Sequence, residues 1–444
     1  MTLREALTCC SLAVAVLFAS FTAYPQRGMA QQPGDAETIV YTIRKGDTLI
    51  SLGRSWLIRE GDWKQVQRLN RVADPHRLPV ARRLKLPVRL LKFRPATASV
   101  AAFRGDAQAT VSGSALQQVT IGQSLGEGAR FVTGPASSLS LALSDGSVIT
   151  LPSNSSLRIS RLRKLLITDS IDYELALESG GVRSRISPFR NRGDRFRLRN
   201  PIAVSAVRGT DFRNHYDAAL GQARAELIEG GLAVTTPSSA AETRLAAEFG
   251  AVIGKAGGIT VEKLLPPPAL VTGGGKQRAP TLAFSVGAVS GAQAYRLQIA
   301  RDSGFVDVVD DLTRPASDFT AAALPNGNYF ARFTAIAASG LEGMPATFTF
   351  KRRLATASQG AAAGEDGYVF RWVGTGEDLR RYHFQLRTQE SQTFVVDEAG
   401  LTGSSVILGD LPPGRYMWRV GTTTFAADET DIDWSDYESF TIDE

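Results

Sequence analysis

The spacing of apolar residues changes character along the 444-residue chain, and each change marks a different kind of element. Leu12–Phe21 is an unbroken apolar run. Next, Ile39-Val40-Tyr41-Thr42-Ile43 is rich in β-branched residues and predicts a short strand. Arg44-Lys45-Gly46-Asp47-Thr48 predicts a turn: Gly46 can take a positive φ, and Asp47 or Thr48 can cap a following helix. Leu49, Leu52 and Gly53 then share one helical face at i, i+3, i+4. Trp63, Val66 and Leu69 predict a second helix over Trp63–Leu69, with Asn70 as its stop. Arg83-Leu84-Lys85-Leu86-Pro87 alternates like a returning strand and ends at proline. The order over residues 38–90 is β-α-α-β.

The period then becomes two. Ser138–Leu143 and Val148–Leu151 flank Ser144-Asp145-Gly146-Ser147, a strong hairpin signal. Further strands are predicted at 156–160, 173–177, 195–199, 202–207, 210–216, 223–229 and 231–235, so residues 98–265 need no helix. Pro266-Pro267-Pro268 followed by Gly273-Gly274-Gly275 predicts a linker over 266–278, stiff and then flexible. Beyond it the chain repeats itself with a period of about 87 residues. Tyr295–Ala300 parallels Tyr382–Arg387, and Phe305-Val306 parallels Phe394-Val395. Leu324-Pro325-Asn326-Gly327-Asn328-Tyr329-Phe330-Ala331-Arg332-Phe333 parallels Leu411-Pro412-Pro413-Gly414-Arg415-Tyr416-Met417-Trp418-Arg419-Val420. The units 279–353 and 364–444 have the size and strand spacing of immunoglobulin-like sandwiches. The expected fold class is mainly β and multidomain.

Composition adds a compartment. Arg4, the apolar run and Gly28-Met29-Ala30 together read as a secretory signal peptide over residues 1–30, cleaved before Gln31, with an uncleaved N-terminal anchor as the alternative. Both cysteines, Cys9 and Cys10, fall inside it. The mature chain is then expected to have no disulfide, thiolate metal site or cysteine nucleophile. No other apolar stretch is long enough to span a bilayer, so no membrane span is expected after cleavage. The location expected is the periplasm or cell envelope. The net charge of +6 is a mild excess for this length. Two basic runs stand out: Arg82, Arg83, Lys85, Arg89, Lys92 and Arg94, then Arg183, Arg185, Arg190, Arg192, Arg195, Arg197 and Arg199. Both are expected on solvated strand faces, and export removes nucleic acid as a partner. The acidic end, Asp428, Glu429, Asp431, Asp433, Asp436 and Glu438, is read as a solvated edge in preference to a cation site.

Residues 38–90 resemble a LysM domain. Tyr41-Thr42-Ile43, Gly46-Asp47-Thr48-Leu49, Trp63, Asn70 and Leu84-Lys85-Leu86-Pro87 fall where that pattern puts them, while Ala81-Arg82-Arg83 replaces its usual Gly-Gln pair. The resemblance implies binding of N-acetylglucosamine polymers, chiefly peptidoglycan. It implies a groove formed by Gly46, Asp47, Thr48 and Leu49 with Leu78, Pro79 and Val80. Residues 98–265 resemble a FecR-type domain. The matching stretches include Ala102–Ala107, Gly122–Gly134, Leu143–Leu151, Leu177–Val182, Asn200–Ala203, Val207–Phe212 and Leu227–Val234. Gly209 and Glu229-Gly230-Gly231 read as turns, and Arg208 as a buried donor or a surface contact. The Leu-Pro-x-Gly-x-Tyr segments are similar to fibronectin type III strand pairs with Tyr turned inward.

Known FecR-type regulators carry a cytoplasmic segment and a membrane span ahead of the domain, and neither is expected from these residues. The resemblance therefore favours an extracytoplasmic scaffold with an envelope protein as partner over a signal-transducing regulator. A wall hydrolase is the remaining alternative, because LysM modules are often fused to such enzymes. His76, His215 and His383 lie in three separate predicted domains without a ligand-spaced neighbour. No Gly-x-Ser-x-Gly elbow is present, and Gly273-Gly274-Gly275 lacks the lysine of a phosphate loop. A paired-carboxylate glycosidase stays open on counting alone. No catalytic residue, cofactor or metal is assigned.

Overall fold

The computed structural model describes residues 37–110, 114–207, 209–354, 357–364, 367–373, 380–426 and 429–443. The expected leader with Cys9 and Cys10, together with Arg208 and Asp428, lies outside the described residues. The chain divides after Leu90 into two compact units. No helix among the described residues is long and apolar enough to cross a membrane.

In the first unit, Thr38–Thr42 pairs antiparallel with Arg83–Pro87, placing Ile39 opposite Leu86 and Tyr41 opposite Leu84. These four side chains point inward and are buried, as the alternation requires. Two helices, Leu49–Trp56 and Trp63–Asn70, close over them. Thr48 caps the first through a reciprocal box: Ser51 N–H donates to Thr48 Oγ1 and Thr48 N–H to Ser51 Oγ, both at 2.9 Å. Leu49, Leu52 and Gly53 face the core as their spacing predicts. The second helix departs from expectation in one respect. Leu69 is 44% exposed and Val66 is the buried residue. The reason lies in Asn70, whose amide donates to Lys85 O and accepts from Lys85 N, both at 2.7 Å. The last helical turn therefore presents Asn70, not Leu69, to the strand.

The second unit begins with a domain of two large sheets that share one strand, Ile171–Arg185. Its first half pairs with Ser156–Leu165 and, in parallel, with Arg195–Asn200. Its second half pairs with Val148–Leu151 and Asp211–Asp217. The remaining strands extend both sheets by antiparallel pairing. Between the sheets lie Phe131, Leu141, Ile149, Ile159, Leu175 and Leu227, all at most 1% exposed. Phe196 and Phe212, from different sheets, meet edge to face at 6.2 Å. The Gly209 and Gly230 turns pack on each other: a Cβ on Gly230, whose φ is +94°, would lie 2.6 Å from Gly209 O. Any other residue there would meet both a strained backbone and a collision.

Two sandwiches follow, each with a sheet of three strands facing a larger one. The stretch 266–278 is no free linker. Leu270–Thr272 pairs with Leu282–Val286, and Gly275–Gln277 runs parallel to Ala346–Arg352. The Gly273–Gly275 turn carries the chain from one sheet of the first sandwich to the other, which poly-glycine permits as readily as it permits a flexible tether. Tyr329 and Tyr416 are both buried, each donating its hydroxyl back to a carbonyl four residues upstream, Pro325 O at 3.0 Å and Pro412 O at 2.8 Å. They stack in turn on Phe350 and Phe440. The Leu-Pro-x-Gly-x-Tyr repeat is thus a buried tyrosine corner used twice.

Candidate functional site

In the first unit two loops meet at one edge. Leu49 N–H donates to Pro75 O at 2.9 Å, Ala81 N–H to Ile43 O at 2.9 Å, and Ile43 N–H to Arg82 O at 3.0 Å. These bonds hold the 44–48 turn against the 71–82 loop. Gly46 sits exposed with φ +91°, and Thr48 is half-buried. Asp47 is fixed from two sides: its Oδ2 accepts from Tyr41 hydroxyl at 2.8 Å and from Arg44 N–H at 2.7 Å. Burial, then Asp47, pushes the Tyr41 hydroxyl up to about 12, so it remains a donor at any physiological pH. Leu78 is half-buried, Pro79 exposed and Val80 60% exposed. Leu49 differs from the other six residues of the expected groove. Its side chain is 1% exposed, inside the core, and its N–H is already bonded.

The two basic runs separate. Arg82, Arg83, Lys85, Arg89 and Arg94 are exposed, as expected. Much of the second run is not solvated. Arg195 pairs with Asp172 at 3.0 Å and Arg199 with Glu174 at 2.9 Å, while Arg161 reaches both carboxylates. Burial lowers the pKa of Arg195 and Arg197. Strand alternation correctly sets these arginines on the outer face; the neighbouring strands supply acids that sequence order does not reveal. Asp433 is likewise no solvated edge residue, being 8% exposed and paired with Arg278 at 3.1 Å and Lys276 at 3.6 Å.

A set of residues that no motif announced joins the middle domain to the first sandwich. Arg213 Nε donates to Glu226 Oε2 at 2.7 Å, and its Nη2 donates to the carbonyls of Glu342 and Gly343. Glu342 N–H donates to Glu226 Oε1 at 2.8 Å. Glu342 also pairs with Arg296 at 2.9 Å and accepts from Thr334 at 2.7 Å. Arg296 grips Asp311 with two bonds of 2.8 and 2.6 Å. Burial would raise Glu342, but Arg213 and Arg296 outweigh it and hold it well below the usual carboxylate range. Glu226 is ion-paired with Arg213, and burial, helped by the Glu342 charge, pushes it up. Arg213, Glu226, Arg296 and Asp311 stand on strands, while Glu342 lies in the loop between Gly327–Ala337 and Ala346–Arg352, so no local pattern brings the set together.

Residues 41–87 match the family model for the LysM domain, and residues 129–259 match the model described as FecR protein. The chain therefore carries a LysM domain, a FecR-type domain and, behind them, fibronectin type III-like sandwiches. No curated protein matches the chain in sequence. Among solved structures, a protein assigned as an anti-sigma factor from Parabacteroides distasonis is 18% identical. That match covers 30% of this chain and 59% of the other, less than two thirds of its length, with a TM-score of 0.26. A two-domain fibronectin type III segment of chicken tenascin is 13% identical, covering 41% of this chain and 100% of that one, with a TM-score of 0.28. Superpositions this loose carry no functional argument.

Proposed function

We propose that this chain is a non-enzymatic protein of the cell envelope that holds the N-acetylglucosamine glycan of peptidoglycan through residues 38–90 and offers its β domains to an envelope protein. The observation that carries the reading is the edge of the LysM domain where half-buried Leu78 and exposed Pro79 and Val80 lie on the loop bonded against the Gly46–Thr48 turn. Apolar side chains there suit the methyl groups of acetamido sugars, and turn backbone suits their amide N–H and C=O groups. Leu49 supports this edge from the core. One small edge buries little area, so a single module binds weakly. Location in the periplasm or elsewhere in the envelope follows from the leader and the glycan.

The test is co-sedimentation with isolated sacculi. The export-processed chain is expected in the pellet, and a chain lacking residues 38–90 in the supernatant. Equal sedimentation of both, or of neither, removes the glycan reading. Release of muropeptides in the same assay would instead reveal a wall hydrolase. The FecR match over residues 129–259 supports a second reading, reception of a signal from an envelope partner. A stable complex with a sigma regulator or transducer would favour it over a scaffold role.

A further inference from the structure

The joint between the FecR-type domain and the first sandwich encloses a cleft of about 450 Å³. Its floor comes from the strands Ile171–Arg185, Asp211–Asp217 and Gln222–Glu229, and its roof from Ala292–Ala300, Val308–Arg314 and Gly327–Ala337. Six arginines and three carboxylates line it. Arg213 and Arg296 consume all three of those acids, Glu226, Asp311 and Glu342. Arg183 takes Asp211 through two bonds of 3.1 and 2.8 Å. Three cations are left over.

Arg185 donates to the carbonyl of Gly304 at 2.9 Å, and Arg224 to His215 Nδ1 at 2.9 Å. Burial, then Arg224, holds His215 down to about 4, so the ring is neutral at pH 7 and brings no further charge. Arg332 has neither kind of partner. It is 5% exposed, its Nε is buried without an acceptor, and among the described residues it makes no hydrogen bond or ion pair. Its guanidinium lies 3.5 Å from the centroid of the Phe305 ring. Burial, then Arg183, lowers its pKa to about 8. Arginine keeps its proton at neutral pH, so a charge with no directly paired acid stays in the interior, and Asp211 and Glu342 act on it only from a distance.

We infer that this cleft is a binding site for a small organic anion carrying carboxylate or phosphate groups, with Arg332 as its deep contact and Arg185 and Arg224 beside it. The guanidinium fork matches both kinds of oxyanion. Phe305, Val182 and Ile336 on the walls cover the carbon skeleton. The anion bridges both domains, so it strengthens the joint and couples ligand to the angle at which the sandwich is presented. Nothing in this reading depends on glycan binding by the first unit.

The test uses the full export-processed chain with citrate and pyrophosphate as probes, at constant ionic strength set with chloride. Calorimetry is expected to give one saturable site, and thermal unfolding a matching rise in Tm. Citrate binding alone identifies a carboxylate ligand, and pyrophosphate alone a phosphate ligand; binding of both leaves charge as the shared determinant. Arg332→Met is expected to weaken binding at least tenfold. In the ligand-free protein it gives up the Phe305 ring contact but also a buried cation that no acid pairs directly, so its Tm is expected to stay close to wild type. Arg185→Gln, at a half-buried position, is expected to weaken binding as well and serves should Arg332→Met misfold. The inference is overturned if neither probe binds, or if the probes raise Tm equally in wild type and both variants.

Discussion

The two sandwiches are copies with the same strand plan, differently filled cores and opposite fates for one face. In the first, Gln298 donates to Asp311 at 3.1 Å; in the second, Gln385 donates to Asp397 at 3.0 Å. Arg332 and Arg419 occupy the same place in the repeat. In the first copy this face is turned onto the FecR-type domain, where Arg296, Asp311 and Glu342 form a buried ionic joint and Arg332 rests beside it on the Phe305 ring. In the second, the chain covers the face with its own aromatics. Arg419 lies between Trp434 at 4.2 Å and Tyr437 at 4.6 Å, while Arg387 also rests on Tyr437. A repeat that keeps its strand plan and its tyrosine corner can thus change what it docks against through its outward residues. An ionic joint demands fixed partners, whereas a cation on an aromatic ring needs none from another domain.

The sharpest way to break this comparison is one substitution at each face: Arg213 of the FecR-type domain, which docks on the first copy, and Arg419 of the second copy. Arg213→Met leaves Glu226 and Glu342 buried with one cation fewer, and should cost about 3–5 kcal/mol in urea unfolding. Arg419→Met loses its ring contacts and the hydrogen bond from Nε to Gln385 Oε1 at 2.8 Å, and should cost about 1–3 kcal/mol. Equal losses would mean that the joint is no more demanding than the self-covered face.

Acid should act on the joint next. The unfolded chain protonates His215 near pH 6.5, and the folded chain resists until about pH 4. The stability this provides is therefore complete above pH 6.5 and lost as pH falls from 6.5 to 4. At about 1.4 kcal/mol per pH unit its ceiling is about 3 kcal/mol. Urea midpoints at pH 7 and pH 5 measure it. His215→Gln should flatten the pH dependence, and an unchanged slope in that variant would rule the residue out. The smallest effect tests what the copies share. Tyr329→Phe and Tyr416→Phe each remove one hydroxyl bond to a proline carbonyl and should each cost about 1 kcal/mol by the same unfolding measurement. A large difference between them would show that the two corners are not equivalent.

Local chemistry was legible wherever one segment supplies both partners. The Thr48 cap, the buried face of Leu49 and Leu52, the Leu84/Leu86 alternation and the Tyr329/Tyr416 corners all follow from short-range spacing. The stop at Asn70 was legible too, but its bonds to Lys85 were not, and they are what leaves Leu69 in solvent. The 266–278 stretch misled because proline and glycine mark a bend equally well inside a sheet and between domains.

What the sequence determined by itself is the set of modules and their inward-facing residues, because period and turn chemistry act over a few positions and do not depend on neighbours. Only the tertiary structure decided where the outward charges go. Arg213 meets Glu342 from 129 residues away, and Arg332 is left without an acid by the way two sheets close over it. Long-range pairing of surface charges depends on how finished domains dock, and alternation along a strand carries no record of that.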